Sequence, residues 1–472
     1  MIKHFHQVNP IIKIIFDRND ECKFLLKTTS QLSLKSQKKW NAMGTSRIQP
    51  VEQTLEKVNS LVHEIGITRI ADITNMDRLK IPNFSAVLPG TEDYIWVYSG
   101  KGPTKNHARA SVIMESIERY SSLPANFDGK IQRGTFKELS QSYDVLKYDE
   151  VVEPVSFHLN EEMIMDYCIG YDLLNNTQVL VPAPLTIFRY TPSPPSINPY
   201  SYFHTNGLAS GNVIEEAICH ALCEVVERDA VSLAEFTSSA FQYHVLKTVE
   251  NTLVKGGFQL EPFESKNFVD DDSIYPEIDL NSIEHVPIKR VINRFRHSQI
   301  PLTVKDITSD LGIPTFIASS AEWINHEYGY LVEGHGTHPD ARIAMMRAVT
   351  EVAQSRAANI QGSRDDLRKM KYDPENSDEN RSWQFIKSKE KKSFSDIHTF
   401  IYDDILDDIK LILSSLKARG LKKAIVVNLT NSKLNIPVIR VIVPGLETFK
   451  INKAVIGQRA KESVKKWLSP NL

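Results

Sequence analysis

The sequence predicts a mixed α/β (α+β) protein, and three observations carry that prediction. Helical patterns with one apolar face recur along the chain, and short β-prone runs lie between them. The two do not alternate in the strict order of a doubly wound sheet. With 472 residues, 41% hydrophobic and 24% charged, the composition is that of a folded protein and not of a disordered one. Dividing by about 150 residues per domain gives roughly three structural units, or one large domain with additions.

The first 45 residues differ from the rest. Ser30 to Lys39 is polar and basic without periodicity, Met43-Gly44 offers a second start of translation, and residues 1–45 are expected to be a mobile extension. From Arg47 the punctuation is regular. Pro50 followed by Val51, Leu55, Val58, Leu61 and Val62 marks a helix with proline in its first turn, ended by Gly66-Ile67-Thr68. A β-prone run at Tyr94–Tyr98 gives way at Gly100-Lys101-Gly102 to a helix over about 106–120. Further helical patterns cover about 214–236, 341–359 and 400–416. Strand-like runs are Gln178–Val181, Leu302–Val304, Thr315–Ile317 and Ala424–Val427, with another ending at Val441-Ile442-Val443. Residues 364–392 are charged and polar and are expected to be a surface excursion. Tyr190, Tyr200, Tyr202 and Phe203, interleaved with prolines, suggest an irregular surface loop that could line a peptide groove.

Composition excludes several classes. The balance of 56 basic and 58 acidic residues, a net charge of −2, announces no nucleic-acid-binding face. The four cysteines are Cys22, Cys168, Cys219 and Cys223, too few for a disulfide framework, and the last two lack a second pair to complete a zinc site. They are expected to be packed thiols in a reducing compartment. No run approaches the ~18 apolar residues of a membrane span, and no signal-peptide pattern is present. A cytoplasmic enzyme is expected.

One signature repeats. Ser111-x3-Glu115-x2-Glu118-Arg119 and Glu224-x2-Glu227-Arg228-Asp229 are both Glu-x-x-Glu-Arg on helices. Ser111, Glu115, Glu118 and Arg119 fall on one stripe of the first helix, and Asn212, Glu216, His220, Glu224 and Glu227 share a face of the second. Like charges at i, i+3 destabilise an isolated helix by a few tenths of a kcal/mol. Doing so twice invites a hard cation such as Mg²⁺, with arginine to hold a phosphate; the plain alternative is a solvated helix face. Each helix follows glycines, Gly100/Gly102 and Gly207/Gly211, that could bring backbone N–H groups to an anion. A third instance is Gly334-His335-Gly336-Thr337-His338, leading into Glu351, Gln354 and Arg356. No P-loop or dinucleotide spacing occurs. His220 is expected in a hydrogen-bonded structural role, whereas His335 and His338, flanking Gly336 in a loop before a helix, could equally donate to an anion or make turn hydrogen bonds.

Together these ordered motifs resemble the YcaO family of ATP-dependent enzymes that modify peptide backbones. Arg47-x2-Pro50-x3-Thr54, Asp77-Arg78, Asn212-x3-Glu216-x7-Glu224, Glu351-x2-Gln354-x-Arg356 and Pro437 to Glu447 add to the match, which runs from Arg47 to Glu447. The resemblance implies a catalytic domain over 46–450 with a YcaO-type ATP fold, neither Rossmann nor P-loop. It also implies Mg²⁺ held by Glu115, Glu118, Glu224 and Glu227. Nucleotide contacts would come from Arg47, Thr54, Ser111, Asn212, Glu216, Arg228, Gln354 and Arg356, with Arg119 and Glu351 supporting them. ATP would phosphorylate the oxygen of a peptide or protein backbone amide after a nucleophile attacks its carbon. The tail at 451–472 lacks the Pro-x-Pro-x-Pro ending of azoline-forming members, which favours thioamide formation from an external sulfur source with a TfuA-like partner. Azoline formation on Cys, Ser or Thr of a ribosomal peptide is the alternative, and a non-catalytic docking subunit a third. Helix-rich surfaces could support a homodimer.

Overall fold

A computed structural model describes residues 32–40, 46–89, 95–238, 246–259, 275–324, 328–362, 383–385, 388 and 390–468. Everything below concerns the unit Leu34–Leu472. The expectations for residues 1–31, Cys22, Met43 and most of the excursion at 364–392 fall outside the described residues.

Strands β1 (Arg69–Asp72), β2 (Asn83–Pro89) and β3 (Ile95–Lys101) form an antiparallel sheet in that order. Strands β4 (Ile131–Thr135), β5 (Asp144–Val145), β6 (Ile164–Asp172), β7 (Thr177–Pro182) and β8 (Leu208–Ser210) belong to a second sheet. A third contains β9 (Glu277–Asp279), β10 (Thr303–Asp306), β11 (Thr315–Ile324), β12 (Tyr328–Thr337) and β13 (Lys391–Ser393), in the order β12-β11-β10-β9-β13. The last strands, β14 (Ile425–Asn428) and β15 (Val438–Ile442), return to the second sheet, whose order is β5-β7-β6-β14-β15-β8 with β4 on β6. Only β5/β7 and β9/β13 pair in parallel among the described strands. The fold is the mixed α/β one expected.

The longer helices include α1 (Val51–Asn59), α2 (Lys105–Ser121), α3 (Ile214–Glu235), α4 (Val286–His297), α5 (Ala341–Gln361), α6 (Ile405–Ala418) and α7 (Gln458–Leu468). Local chemistry fixes their ends. Thr104 caps α2, its hydroxyl accepting from His107 N, and Asp340 caps α5 by accepting from Arg342 N at 2.9 Å. Helix α5 stops at Gly362, whose φ of +66° suits glycine. Helix α6 starts later than the apolar pattern suggested, because Asp404 accepts from Leu406 N at 2.9 Å and sets the first turn there.

Two large apolar cores stand out among the described residues. One joins α1 and α2 to the first and second sheets through Val58, Phe84, Val112, Ile113, Ile117, Val181 and Val427. The other packs α4 and α5 on the third sheet through Ile292, Phe295, Phe316, Ala344 and Val352. Helix α3 touches β8, β15, β12, α6 and α7 and is buried on nearly every side.

The glycines ahead of the helices serve packing as well as turns. A Cβ on Gly100 of β3 would overlap the Ala108 carbonyl and Val112 N of α2. A Cβ on Gly334 or Gly336 of β12 would overlap the backbone of α5 at Ala348 or Ala344. Gly334 to Thr337 is therefore the end of a strand, where the sequence suggested a loop. Tyr190 and Tyr200 are buried, whereas Tyr202 and Phe203 stay exposed, so only part of that stretch is surface loop.

Both flanks of the region 46–450 are tied down. Within the extension expected to be mobile, residues 35–39 are held: Lys35 N donates to Glu215 Oε1 and Gln37 N to Asp404 Oδ1, each at 2.8 Å, and Lys39 Nζ lies 2.5 Å from Asp408. In the expected tail, Arg459 of α7 makes a two-pronged bond to Asp229 of α3 at 2.9 and 2.8 Å, while Glu447 accepts from Gly457 N and Ala460 N. No described helix is long and apolar enough to cross a membrane.

Asp229 is fully buried, so removing Arg459 would leave an uncompensated buried charge. Arg459→Ala is expected to lower unfolding free energy by about 3–5 kcal/mol in urea denaturation. The Asp229→Asn, Arg459→Met double variant should recover part of that loss.

Candidate active site

Helices α1, α2, α3 and α5, with the ends of β3, β8 and β12, enclose a cavity of about 850 Å³. Helices α2, α3 and α5 contribute because a polar stripe faces inward while apolar residues pack behind it. On α2, Ser111, Glu115, Glu118 and Arg119 all line the cavity. Arg119 Nη2 lies 3.5 Å from Glu115 Oε1 and Nη1 3.6 Å from Glu118 Oε1. Glu118 Oε2 accepts from Ser210 N at 3.2 Å, which locks β8 beneath the helix.

Glu224, Glu227 and Arg228 of α3 face them across the cavity. Four carboxylates thus meet two guanidinium groups. Burial pushes the Glu118 carboxyl up to about 8, opposed by Arg119 and reinforced by Glu115 and Glu224. Burial also raises Glu224, against the pull of Arg228. Glu227 is buried, and its Oε2 has no hydrogen-bond partner; nor has the buried Arg119 Nη1. An orphaned carboxylate oxygen among four hard oxygen donors fits a divalent cation, and an orphaned guanidinium N–H fits a phosphate oxygen.

The Glu216 end of α3 is organised differently. Buried Glu216 accepts from Ile48 N at 2.7 Å and from both Asn212 N and Asn212 Nδ2 at 2.9 Å, and Arg47 Nη1 stands 3.6 Å away. Asn212 Oδ1 accepts from Thr54 Oγ1 at 2.9 Å and Gln49 Nε2 at 3.2 Å. Arg47, Thr54, Asn212 and Glu216 are therefore one connected network, joined by Gln49, which the sequence reading passed over.

On α5, Glu351 pairs with Lys101, and Gln354 Nε2 donates to the Ser99 carbonyl. Burial works to raise Glu351, but Lys101 and His335 outweigh it and hold the carboxyl well below its usual range. Arg356 does not reach the cavity, contrary to expectation. Its guanidinium is buried, bonded to Asp77 at 2.9 and 3.2 Å and to Glu322 at 3.1 Å. It stands two residues from Gln354, about 200° around the helix, and points at the β1–β2 connection.

The histidines divide likewise. His220 lines the cavity and bonds Arg347 Nη1 at 2.8 Å; burial, then Arg347, hold it well below its usual range, so it is neutral. His335 lies on β12 behind the wall, 3.8 Å from Glu333 and 3.6 Å from Glu351. Cys219, His338 and Asp408 lie close together and buried. His338 Nδ1 accepts from Asp340 N at 2.9 Å, so in the neutral ring Nε2 carries the proton and faces Asp408, which Lys39 also holds. A metal would have to displace that proton and the Lys39 ammonium, and the cluster fits a packed, ion-paired group better. Glu333 of β12 also lines the cavity, paired with Lys450 at 2.6 Å, and the sequence reading passed over it.

A family model described as a YcaO cyclodehydratase binding ATP and Mg²⁺ matches residues 99–252 and 270–447, which carry α2, α3 and α5. The chain belongs to the YcaO family. It is accordingly an ATP- and Mg²⁺-dependent enzyme that activates a peptide backbone amide. An uncharacterised protein of Methanothermobacter thermautotrophicus is 32% identical to this YcaO chain over 428 residues, covering 89% of it and 100% of the relative. An uncharacterised protein in the tfuA 3′ region of Rhizobium leguminosarum bv. trifolii is 29% identical over 426 residues, 88% of this chain and 91% of the relative. The structure of YcaO from Methanopyrus kandleri bound with AMPPCP and Mg²⁺ has the same fold, at 23% identity and a TM-score of 0.66, covering 89% of this chain and 98% of that one. A heterocyclase in complex with substrate and cofactor gives a TM-score of 0.70 at 22% identity, and this chain spans 55% of its length.

Glu118 sets a pH dependence for the metal-free protein. With a folded pKa near 8 and an ordinary unfolded value of 4.5, the folded state holds a proton that the unfolded state has released between those limits. Stability should therefore fall as pH rises from about 4.5 to about 8, and Glu118→Gln should flatten that slope. Urea denaturation at several pH values in the presence of a chelator measures it.

Proposed function

We propose that this enzyme installs a thioamide, using ATP and Mg²⁺ to turn the oxygen of a backbone amide into a leaving group and an external sulfur source as the nucleophile. The observation that carries the ATP part is the facing pair of Glu-x-x-Glu-Arg helices with an orphaned carboxylate oxygen and an orphaned guanidinium N–H. The choice of sulfur is supported by the relative in the tfuA 3′ region, and a TfuA-like protein is the partner proposed for sulfur delivery or recognition.

In this reading Glu115, Glu118, Glu224 and Glu227 hold Mg²⁺, which neutralises charge on the phosphate oxygens. Arg119 and Arg228 orient the phosphates with charge-assisted hydrogen bonds. Arg47, Thr54, Ser111, Asn212, Glu216 and Gln354 contact the nucleotide or fix those that do. Lys101 keeps Glu351 ionised at the cavity wall. Hydrosulfide adds to the amide carbon, and the resulting oxyanion takes the γ-phosphoryl group, releasing ADP. The C–O bond then breaks, phosphate leaves, the S–H proton is lost, and C=S remains. An amide oxygen is a poor leaving group, so the phosphoryl transfer is what makes substitution feasible.

Calorimetric titration of ATP with and without Mg²⁺ tests the site. The wild type should bind ATP in a Mg²⁺-dependent way, and Glu118→Gln, Glu227→Gln should lose roughly ten- to a hundredfold in affinity. Unchanged affinity would place the metals elsewhere. Mass spectrometry of an acceptor peptide co-produced with the enzyme tests the chemistry. Exchange of oxygen for sulfur supports thioamidation, and loss of water would establish azoline formation instead.

A further inference from the structure

The cavity has two chemically different ends. Glu216 and Glu227 are 227 − 216 = 11 residues apart on α3, about 16 Å along the helix axis. The Glu227 end holds the four carboxylates. The Glu216 end is crossed by the N-terminal segment, which two neighbouring acidic residues grip. Glu215 accepts from Lys35 N at 2.8 Å and Gln37 Nε2 at 3.3 Å, and Glu216 accepts from Ile48 N at 2.7 Å.

Trp40 lies between those two anchorages. Its N donates to the Arg47 carbonyl at 2.5 Å, and its neighbour Lys39 is paired with Asp408. The backbone around it is thus fixed, yet the side chain is 51% exposed and lines the cavity. Among the described residues it is the one Phe, Tyr or Trp side chain in the cavity wall. It also lies outside the residues that match the family model. A half-exposed indole in a cavity wall presents a flat apolar face to whatever enters.

We infer that Trp40 stacks on the purine base of the nucleotide and so discriminates a nucleoside triphosphate from a bare polyphosphate. The inference rests on the reading that this cavity holds ATP. With phosphates and Mg²⁺ at the Glu227 end, an extended nucleotide places its base toward Glu216, where Trp40 and the Pro50–Val51 turn provide the apolar surface. Stacking on an aromatic face tolerates either purine, so GTP should compete with ATP unless other groups read the base edge.

The test compares Mg·ATP with Mg·tripolyphosphate on wild type, Trp40→Phe and Trp40→Ala, by calorimetry and by tryptophan fluorescence. Wild type should prefer ATP, and ATP but not tripolyphosphate should quench part of the emission. Trp40→Phe should keep ATP affinity within about threefold and lose that quench, which separates Trp40 from the chain's other four tryptophans. Trp40→Ala should weaken ATP about tenfold and leave tripolyphosphate unchanged. Equal weakening of both ligands, or no weakening of ATP, would overturn the stacking while leaving the ATP site in place. Wild type binding neither ligand would overturn the nucleotide reading of the cavity, and the stacking with it.

Discussion

Burying carboxylates inside one helix is the constraint on which this structure depends. Helix α3 carries Glu215, Glu216, Glu224, Glu227 and Asp229 through the middle of the molecule, where unpaired charge is costly. Each receives a different remedy. Glu215 and Glu216 take backbone and amide N–H donors from the segment before α1, and Asp229 takes the Arg459 fork and Glu447 N. Glu224 and Glu227 have arginines nearby, but Glu227 keeps an unsatisfied oxygen, so compensation among these carboxylates lapses on the side facing the cavity.

The same logic explains why sequentially remote pieces converge. Strand β8 leads into α3 and also donates Ser210 N to Glu118 of α2, so the two Glu-x-x-Glu-Arg helices are registered through one short strand. Lys101 at the end of β3 reaches Glu351 of α5, and Ser99 of the same strand holds Gln354. Three strand–helix units thus share walls of one cavity, each polar stripe held in place by a neighbour's backbone.

Helices and their acidic stripes were legible in the sequence because 3.6-residue periodicity survives burial, and the repeated Glu-x-x-Glu-Arg spacing put four carboxylates on two faces before any contact was known. Arg356 misled because a motif spaces residues along the chain, whereas a helix spaces them around an axis. Glu351, Gln354 and Ala358 share the cavity face and Arg356 does not. Gly334 and Gly336 misled because one residue type serves both turns and backbone-to-backbone contact. The hold on residues 35–39 left little pattern to find, since two of its anchoring donors are main-chain N–H groups that any residue supplies.

Those strand glycines also govern how the cavity can vary. At Gly100, where β3 meets α2, and at Gly334 and Gly336, where β12 meets α5, the strand backbone lies directly against the helix backbone. An ordinary core adjusts to substitution by repacking its side chains, but at these three glycines the strand has none to repack. The spacings of α2 from β3 and of α5 from β12 therefore behave as stiff gauges, and the cavity walls they carry tolerate little drift at those points.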